Sequence, residues 1–205
     1  MELSTVLYFL AASILLTIAP GPDIMYLLAK SLSDGAKSGI SLAAGLCSGL
    51  IFHTSLVIFG VAALIQSSPT ALSALKYLGA AYLLYLSWSA FHESGDLKLR
   101  HDKKTGSYFK LYRRGIIMNV LNPKVLLFFL AFFPQFINMH SDSISLQIAF
   151  LGLLFGIQSF TIFSIVSLCA GKVRDYILKI HNFNKIMGWV QGVVLLVISL
   201  TLLII

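Results

Sequence analysis

The stretch Ala19-Pro20-Gly21-Pro22-Asp23 decides how the chain is read. It sets two prolines and a glycine inside a long apolar run and follows them at once with a carboxylate. Proline in a helix interior removes a backbone hydrogen bond and clashes with the preceding turn, at about 3 kcal/mol. An ionised aspartate near the bilayer centre adds about 2.5–3.5 kcal/mol on an insertion scale. So many unfavourable choices in one short stretch point to a site. A second break of the same kind, Asn122-Pro123-Lys124, stands in the other half of the chain.

The surroundings of both breaks are those of a membrane protein. The chain has 205 residues, 58% hydrophobic and 11% charged, against about 25% charged in a soluble domain. Lipid leaves no water to satisfy backbone groups, and alternating strand patterns are absent, so an all-α polytopic fold is expected. Six segments are long and apolar enough to span about 30 Å of hydrocarbon, which takes about 20 residues. They are residues 3–32, broken at Pro20–Pro22; 38–65; 69–91; 112–137, broken at Pro123; 146–170; and 186–205. Residues 1–205 are read as one transmembrane domain, with halves of about 1–91 and 112–205 joined by a basic loop of about 92–111. Met1-Glu2-Leu3-Ser4 lacks the basic start of a cleaved signal peptide, so the first helix is expected to be retained. Cys47 and Cys169 lie in apolar runs with no disulfide or metal spacing and read as small core residues.

Charge sets the expected orientation. Thirteen of the 15 Lys and Arg fall in loops one–two, three–four and five–six: Lys30, Lys37, Lys98, Arg100, Lys103, Lys104, Lys110, Arg113, Arg114, Lys172, Arg174, Lys179 and Lys185. The positive-inside rule makes that face cytoplasmic and places both termini outside. Trp88 and Trp189 fall at the cytoplasmic helix ends, as an interfacial aromatic belt requires. The net charge of +7 is therefore topogenic. It suits contact with anionic lipid of the bilayer and not nucleic acid.

The halves resemble each other. Helices one and four are each broken by proline with an ionisable residue next, Pro22-Asp23 and Pro123-Lys124. Helices two and five each carry a GxxxG, Gly45–Gly49 and Gly152–Gly156, read as close helix packing. Three helices per half means that the second half enters from the opposite side. The expected fold is a 3+3 inverted repeat, an organisation of many secondary transporters.

Each half-helix beyond a proline aims free N–H groups and a positive dipole end back at its break. Helix N-termini bind carboxylates and other anions. Asp23 and Lys124 both sit toward the midplane, so the two breaks offer a carboxylate, an ammonium and oriented amides in one cavity. That suits a zwitterion: its ammonium on Asp23 and unwound carbonyls, its carboxylate on Lys124 and half-helix amides. Two plainer readings stand beside this one. Asp23 in a first turn complements the dipole by itself, whereas Lys124 has the wrong sign there by about 0.3–1 kcal/mol. A structural Asp23–Lys124 ion pair would account for Lys124. Asn119 and Asn122 flank the second break and can satisfy freed backbone groups or touch substrate. His53, on the face of Gly49, is a proton-relay candidate or a buried hydrogen-bonded histidine. Gln158 is a weaker candidate of the same kind. Tyr82 and Tyr85 fit packing or the interface better than the cavity wall.

Several motifs together carry a family resemblance. They are Pro20-Gly21-Pro22-Asp23, the glycine series 35, 39, 45 and 49, Gly60-Val-Ala-Ala-Leu64, Gly79-Ala-Ala-Tyr82-Leu, Leu121-Asn122-Pro123-Lys124 and Phe133-Pro134-Gln135-Phe136. The chain resembles the LysE family of amino-acid exporters, and within it the RhtB-type homoserine/threonine efflux branch. Ser87 departs from the pattern, standing where relatives often have glycine. The resemblance implies export of amino acids or their derivatives from the bacterial cytoplasm, coupled to proton entry. It carries function to Pro20, Gly21, Pro22, Asp23, Asn122, Pro123 and Lys124.

The expectation is an inner-membrane secondary transporter, not an enzyme and without cofactor or metal. Its substrate-binding residues would be Asp23, Lys124, Asn122, Gly21, Pro22 and Pro123, with Asp23 and His53 as proton-coupling candidates. The GxxxG faces permit a homodimer. Two rivals share the architecture: a divalent-metal exporter and a membrane thiol–disulfide carrier.

Overall fold

A computed structural model describes residues 1–67, 69–92, 107–138, 141, 143–180 and 182–204, with the side chains of 61–67, 69 and 174–178 left aside. Most of the basic loop, including Lys98, Arg100, Lys103 and Lys104, lies outside the described residues, as does the Arg174 side chain.

Eight α-helices are described: α1 (Leu3–Ile18), α2 (Pro22–Asp34), α3 (Ala36–Ser67), α4 (Pro69–His92), α5 (Tyr108–Val120), α6 (Pro123–Leu127), α7 (Ile144–Lys179) and α8 (Phe183–Ile204). Both expected breaks are present. The chain bends by 57° between α1 and α2, and by 50° between α5 and the segment Pro123–Phe136. The cost reckoned for interior prolines is avoided by the breaks themselves. Pro22 and Pro123 each open a new helix, where the missing N–H would be unpartnered in any case.

Among the described residues, three helices, α3, α7 and α8, are long and apolar enough to cross a membrane, or up to five if each bent pair is one span. The chain is therefore a multi-pass membrane protein. The expected third span forms as α4 but is not among these; Lys76, the tyrosines and the serines dilute its apolar character. A second difference lies after α6. The expected α-helix to 137 instead becomes a π-helical turn, Phe128–Phe132, and then a 3₁₀ turn, Phe133–Phe136. A third concerns Lys30, counted with the loops. It is buried in α2, with its ammonium 3.2 Å from Asp34.

The helices pack as two facing sets: α3 lies along α5 and α7, α4 runs along α8, and α7 also meets α1 and α2. Small residues set the closest approaches. A Cβ on Gly45 would strike the Tyr112 carbonyl, and one on Gly115 would lie 2.9 Å from the Gly45 Cα. A Cβ on Gly152 would meet Thr54. Three of the four GxxxG glycines thus serve packing within the chain; Gly156 has open space around it. Ser87 donates to the Gly192 carbonyl across α4–α8 at 2.7 Å, so the departure from glycine there adds a cross-helix bond. Phenylalanines fill one end of the core. Phe9 meets Phe133 and Phe136 edge-on, at ring separations of 5.0 and 5.4 Å.

Candidate functional site

The two breaks meet. Asn122 caps α6, its Oδ1 accepting the Lys124 backbone N–H at 2.9 Å. Its Nδ2 donates to Asp23 Oδ2 at 2.7 Å. One side chain therefore ties the start of α6 to the start of α2. Lys124 Nζ crosses to the end of α1 and donates to the carbonyls of Leu16 and Ala19, at 3.1 and 3.0 Å. Those carbonyls belong to the last turn of a helix, which lacks intrahelical partners for them.

This corrects the reading of Lys124 as half of a structural ion pair, and the sign assigned to it. It does not form an ion pair with Asp23 within 4.0 Å. Nor is its sign wrong, because its ammonium meets the negative end of α1 rather than the positive end of its own helix. The unwound carbonyls assigned above to a substrate ammonium are taken by Lys124. Gly21 makes room for this crossing: a Cβ there would lie 3.2 Å from Lys124 Nζ.

Between the breaks lies a cavity of about 30 Å³. Thr17, Asp23, Asn119, Lys124 and Ser159 supply its polar wall; Leu16, Leu46, Leu50, Phe155 and Phe163 supply most of the apolar one. It sits between two apolar clusters. One holds Phe9, Leu16, Leu50, Phe128, Phe129 and Phe155, and the other Leu27, Leu42, Leu46, Leu111 and Phe163. Along α3 the change of cluster comes between Leu46 and Leu50, and along α7 between Phe155 and Phe163, with Ser159 between. Apolar packing thus flanks the cavity on both sides. Its volume admits one or two waters.

Of the expected site residues, the structure brings Asp23, Asn122 and Lys124 together, with Gly21 against the Lys124 ammonium. Pro22 and Pro123 act through the backbone, as first residues of their helices. His53 is fully buried but does not line the cavity; its Nε2 donates to the Asn119 carbonyl at 3.0 Å. Tyr82 and Tyr85 are exposed and lie away from the cavity. Cys47 is half-buried, Cys169 is exposed, and both are free thiols.

A model described as LysE type translocator matches residues 14–205. The chain belongs to the LysE family. This bears out the family read from the two proline motifs. Curated relatives of this LysE-family chain include proteins named leucine efflux protein from Salmonella choleraesuis (strain SC-B67), Salmonella typhimurium (strain LT2) and Salmonella typhi. Each is 32% identical over 170 residues, covering 82% of this chain and 80% of the relative. No solved structure matches the chain.

The sequence reading of this LysE-family translocator missed Thr17 and Ser159. Their hydroxyls meet at 3.0 Å across α1 and α7, and Gln158 Nε2 donates to both, at 3.0 and 2.9 Å. Hydroxyls on apolar helices usually bond their own backbone, as Thr17 also does to Ser13 at 2.8 Å. Nothing local marks these two as exceptions.

Proposed function

We propose that the protein exports neutral amino acids from the bacterial cytoplasm, with apolar side chains preferred, by alternating access around the cavity between the helix breaks. The observation that carries this is the cavity's composition. A carboxylate and an ammonium face one small space, held apart rather than paired, and the remaining wall is mainly apolar. Two of the three ammonium donors of Lys124 hold the end of α1. The third, with the first-turn amides of α2, is suited to a substrate carboxylate. Asp23 is suited to the ammonium, and Leu46, Leu50, Phe155 and Phe163 to an apolar side chain. This favours leucine-like substrates over homoserine or threonine, whose hydroxyls would meet that apolar wall. The names of the Salmonella relatives point the same way.

In this reading the chain makes six spans as a 3+3 inverted repeat in the inner membrane, with both termini outside. The packing supports it. Exchanging the halves pairs α1–α2 with α5–α6, α3 with α7 and α4 with α8. The α3–α7 and α4–α8 contacts then map onto themselves, and α3–α5 has its counterpart in α7–α1. Proton entry drives export, with Asp23 and His53 as the coupling groups; Asn119, which accepts from His53 through its carbonyl, lines the cavity beside Asp23.

The test is a panel of labelled amino acids in proteoliposomes, with and without an imposed proton gradient. Gradient-stimulated leucine flux is expected, with homoserine and threonine slower. Absence of flux for every amino acid overturns the function, and flux indifferent to the gradient overturns the coupling.

A further inference from the structure

Asp23 Oδ1 and Asn119 Oδ1 are both buried and without a hydrogen-bond partner, and both residues line the same cavity. Orphaned buried acceptors are uncommon, because each gives up its hydration and gains nothing in return. Asn119 cannot readily turn elsewhere. Its side chain is set against α3 so closely that a Cβ on Gly49 would fall 2.7 Å from Oδ1 and 2.8 Å from the Asn119 Cβ. The other acceptors at the break, the carbonyls of Leu16 and Ala19, are filled by Lys124.

We propose that Asn119 is a specificity-determining residue, its Oδ1 joining Asp23 Oδ1 as the subsite for the primary ammonium of the substrate. The proposal rests on the reading of the cavity as an amino-acid site and names the group that the site selects. Two acceptor oxygens, one of them anionic, call for a cation with at least two N–H donors. A primary ammonium has three. A hydroxyl offers one donor and leaves an oxygen orphaned, and a ketone offers none and adds a third acceptor. The site therefore accepts free α-amines and rejects the 2-hydroxy and 2-keto acids of the same skeleton. Rejection of this kind is strong, since it strands buried polar groups rather than merely losing a contact.

The test uses three ligands of one carbon skeleton on the full chain in lipid nanodiscs: leucine, isoamylamine (ammonium without carboxylate) and 4-methylpentanoate (carboxylate without ammonium). Binding is measured for wild type, Asn119→Ala and Asn119→Asp. Both variants keep the backbone carbonyl that accepts from His53. Asn119→Ala is expected to weaken leucine and isoamylamine alike, by about tenfold or more, and to leave 4-methylpentanoate unchanged. Asn119→Asp, which restores an acceptor oxygen, is expected to recover binding of both amines. Failure of wild type to bind isoamylamine, equal losses for all three ligands, or no loss at all would overturn the proposal. Leucine flux in wild-type proteoliposomes is scored separately. Its absence alongside amine-selective binding defeats the transport reading and leaves the subsite standing; its presence with an unselective Asn119→Ala defeats only the subsite.

Discussion

Gly21→Ala tests the site with one added methyl. The backbone tolerates it, because Gly21 has φ −128° and ψ −177°, an extended conformation open to alanine. The methyl would lie 3.2 Å from Lys124 Nζ and 3.7 Å from Lys124 Cε. Ordinary contact begins near 3.5 Å, so the ammonium must retreat by about 0.3–0.5 Å. Its bonds to the Leu16 and Ala19 carbonyls start at 3.1 and 3.0 Å. That retreat carries them toward about 3.5 Å, the weak end of hydrogen bonding. Losing about half of one charge-assisted bond, itself about 1.5–3 kcal/mol, costs about 0.8–1.5 kcal/mol. The displaced group is the far end of a flexible side chain, so helix packing is little disturbed. A melting temperature lower by about 2–6 °C is expected, with a leucine KM higher by about five- to tenfold, measured in proteoliposomes. Gly156→Ala is the control, since nothing lies within 4 Å of a Cβ there. It should leave both quantities unchanged. A wild-type KM in Gly21→Ala would refute the placement of Lys124 against Gly21.

Asp23→Asn and Lys124→Met should each abolish export while the protein still inserts, as judged by membrane fractionation; near-normal export by both would sink the site assignment. Asn122→Ala removes the α6 cap, worth about 1 kcal/mol, and the bond to the Asp23 carboxylate, worth about 1.5–3 kcal/mol. Unfolding in detergent should show a loss of about 2–4 kcal/mol, with Asn122→Ser recovering only the cap share. Gly45→Ala drives a methyl into the Tyr112 carbonyl across α3–α5 and should cost about 1–3 kcal/mol by overpacking, read as a lower melting temperature. Cys47→Ser should export at the wild-type rate, whereas a thiol–disulfide carrier would be inactivated.

What was legible in the sequence was local. Proline at 22 and 123 cannot continue a helix whatever surrounds it, so both breaks are visible in the chain alone. The GxxxG glycines announced close packing, and Gly45 and Gly49 do meet α5 at Gly115 and Asn119. The π-helical turn at Phe128–Phe132 was not legible, because phenylalanine is compatible with any helical pitch. The turn belongs to how Phe128 packs against Phe9 and Phe155. Thr17 and Ser159 were silent for a similar reason: their meeting depends on α1 and α7 crossing. Which face of α4 is covered was equally hidden, because Ser87 and Phe91 meet α8 at Gly192 only once the two helices pack.

Lys124 shows most clearly what a sequence withholds. Read along the chain, it is a cation at the positive end of its own half-helix. In space its four methylenes carry the charge to the negative end of another helix, and its sign becomes favourable. Asn122 then explains why two opposite charges in one small cavity do not neutralise each other. Its amide holds the Asp23 carboxylate at 2.7 Å while its oxygen fixes the Lys124 backbone. The Lys124 ammonium is occupied by the Leu16 and Ala19 carbonyls. A directly paired Asp23 and Lys124 would have to be pulled apart by each incoming substrate, at the full cost of separating buried charges. Holding them apart beforehand moves that cost into folding. On the proposed function, the cavity then offers charges complementary to a zwitterion before one arrives, and the opposite charges of the two breaks act as a single site.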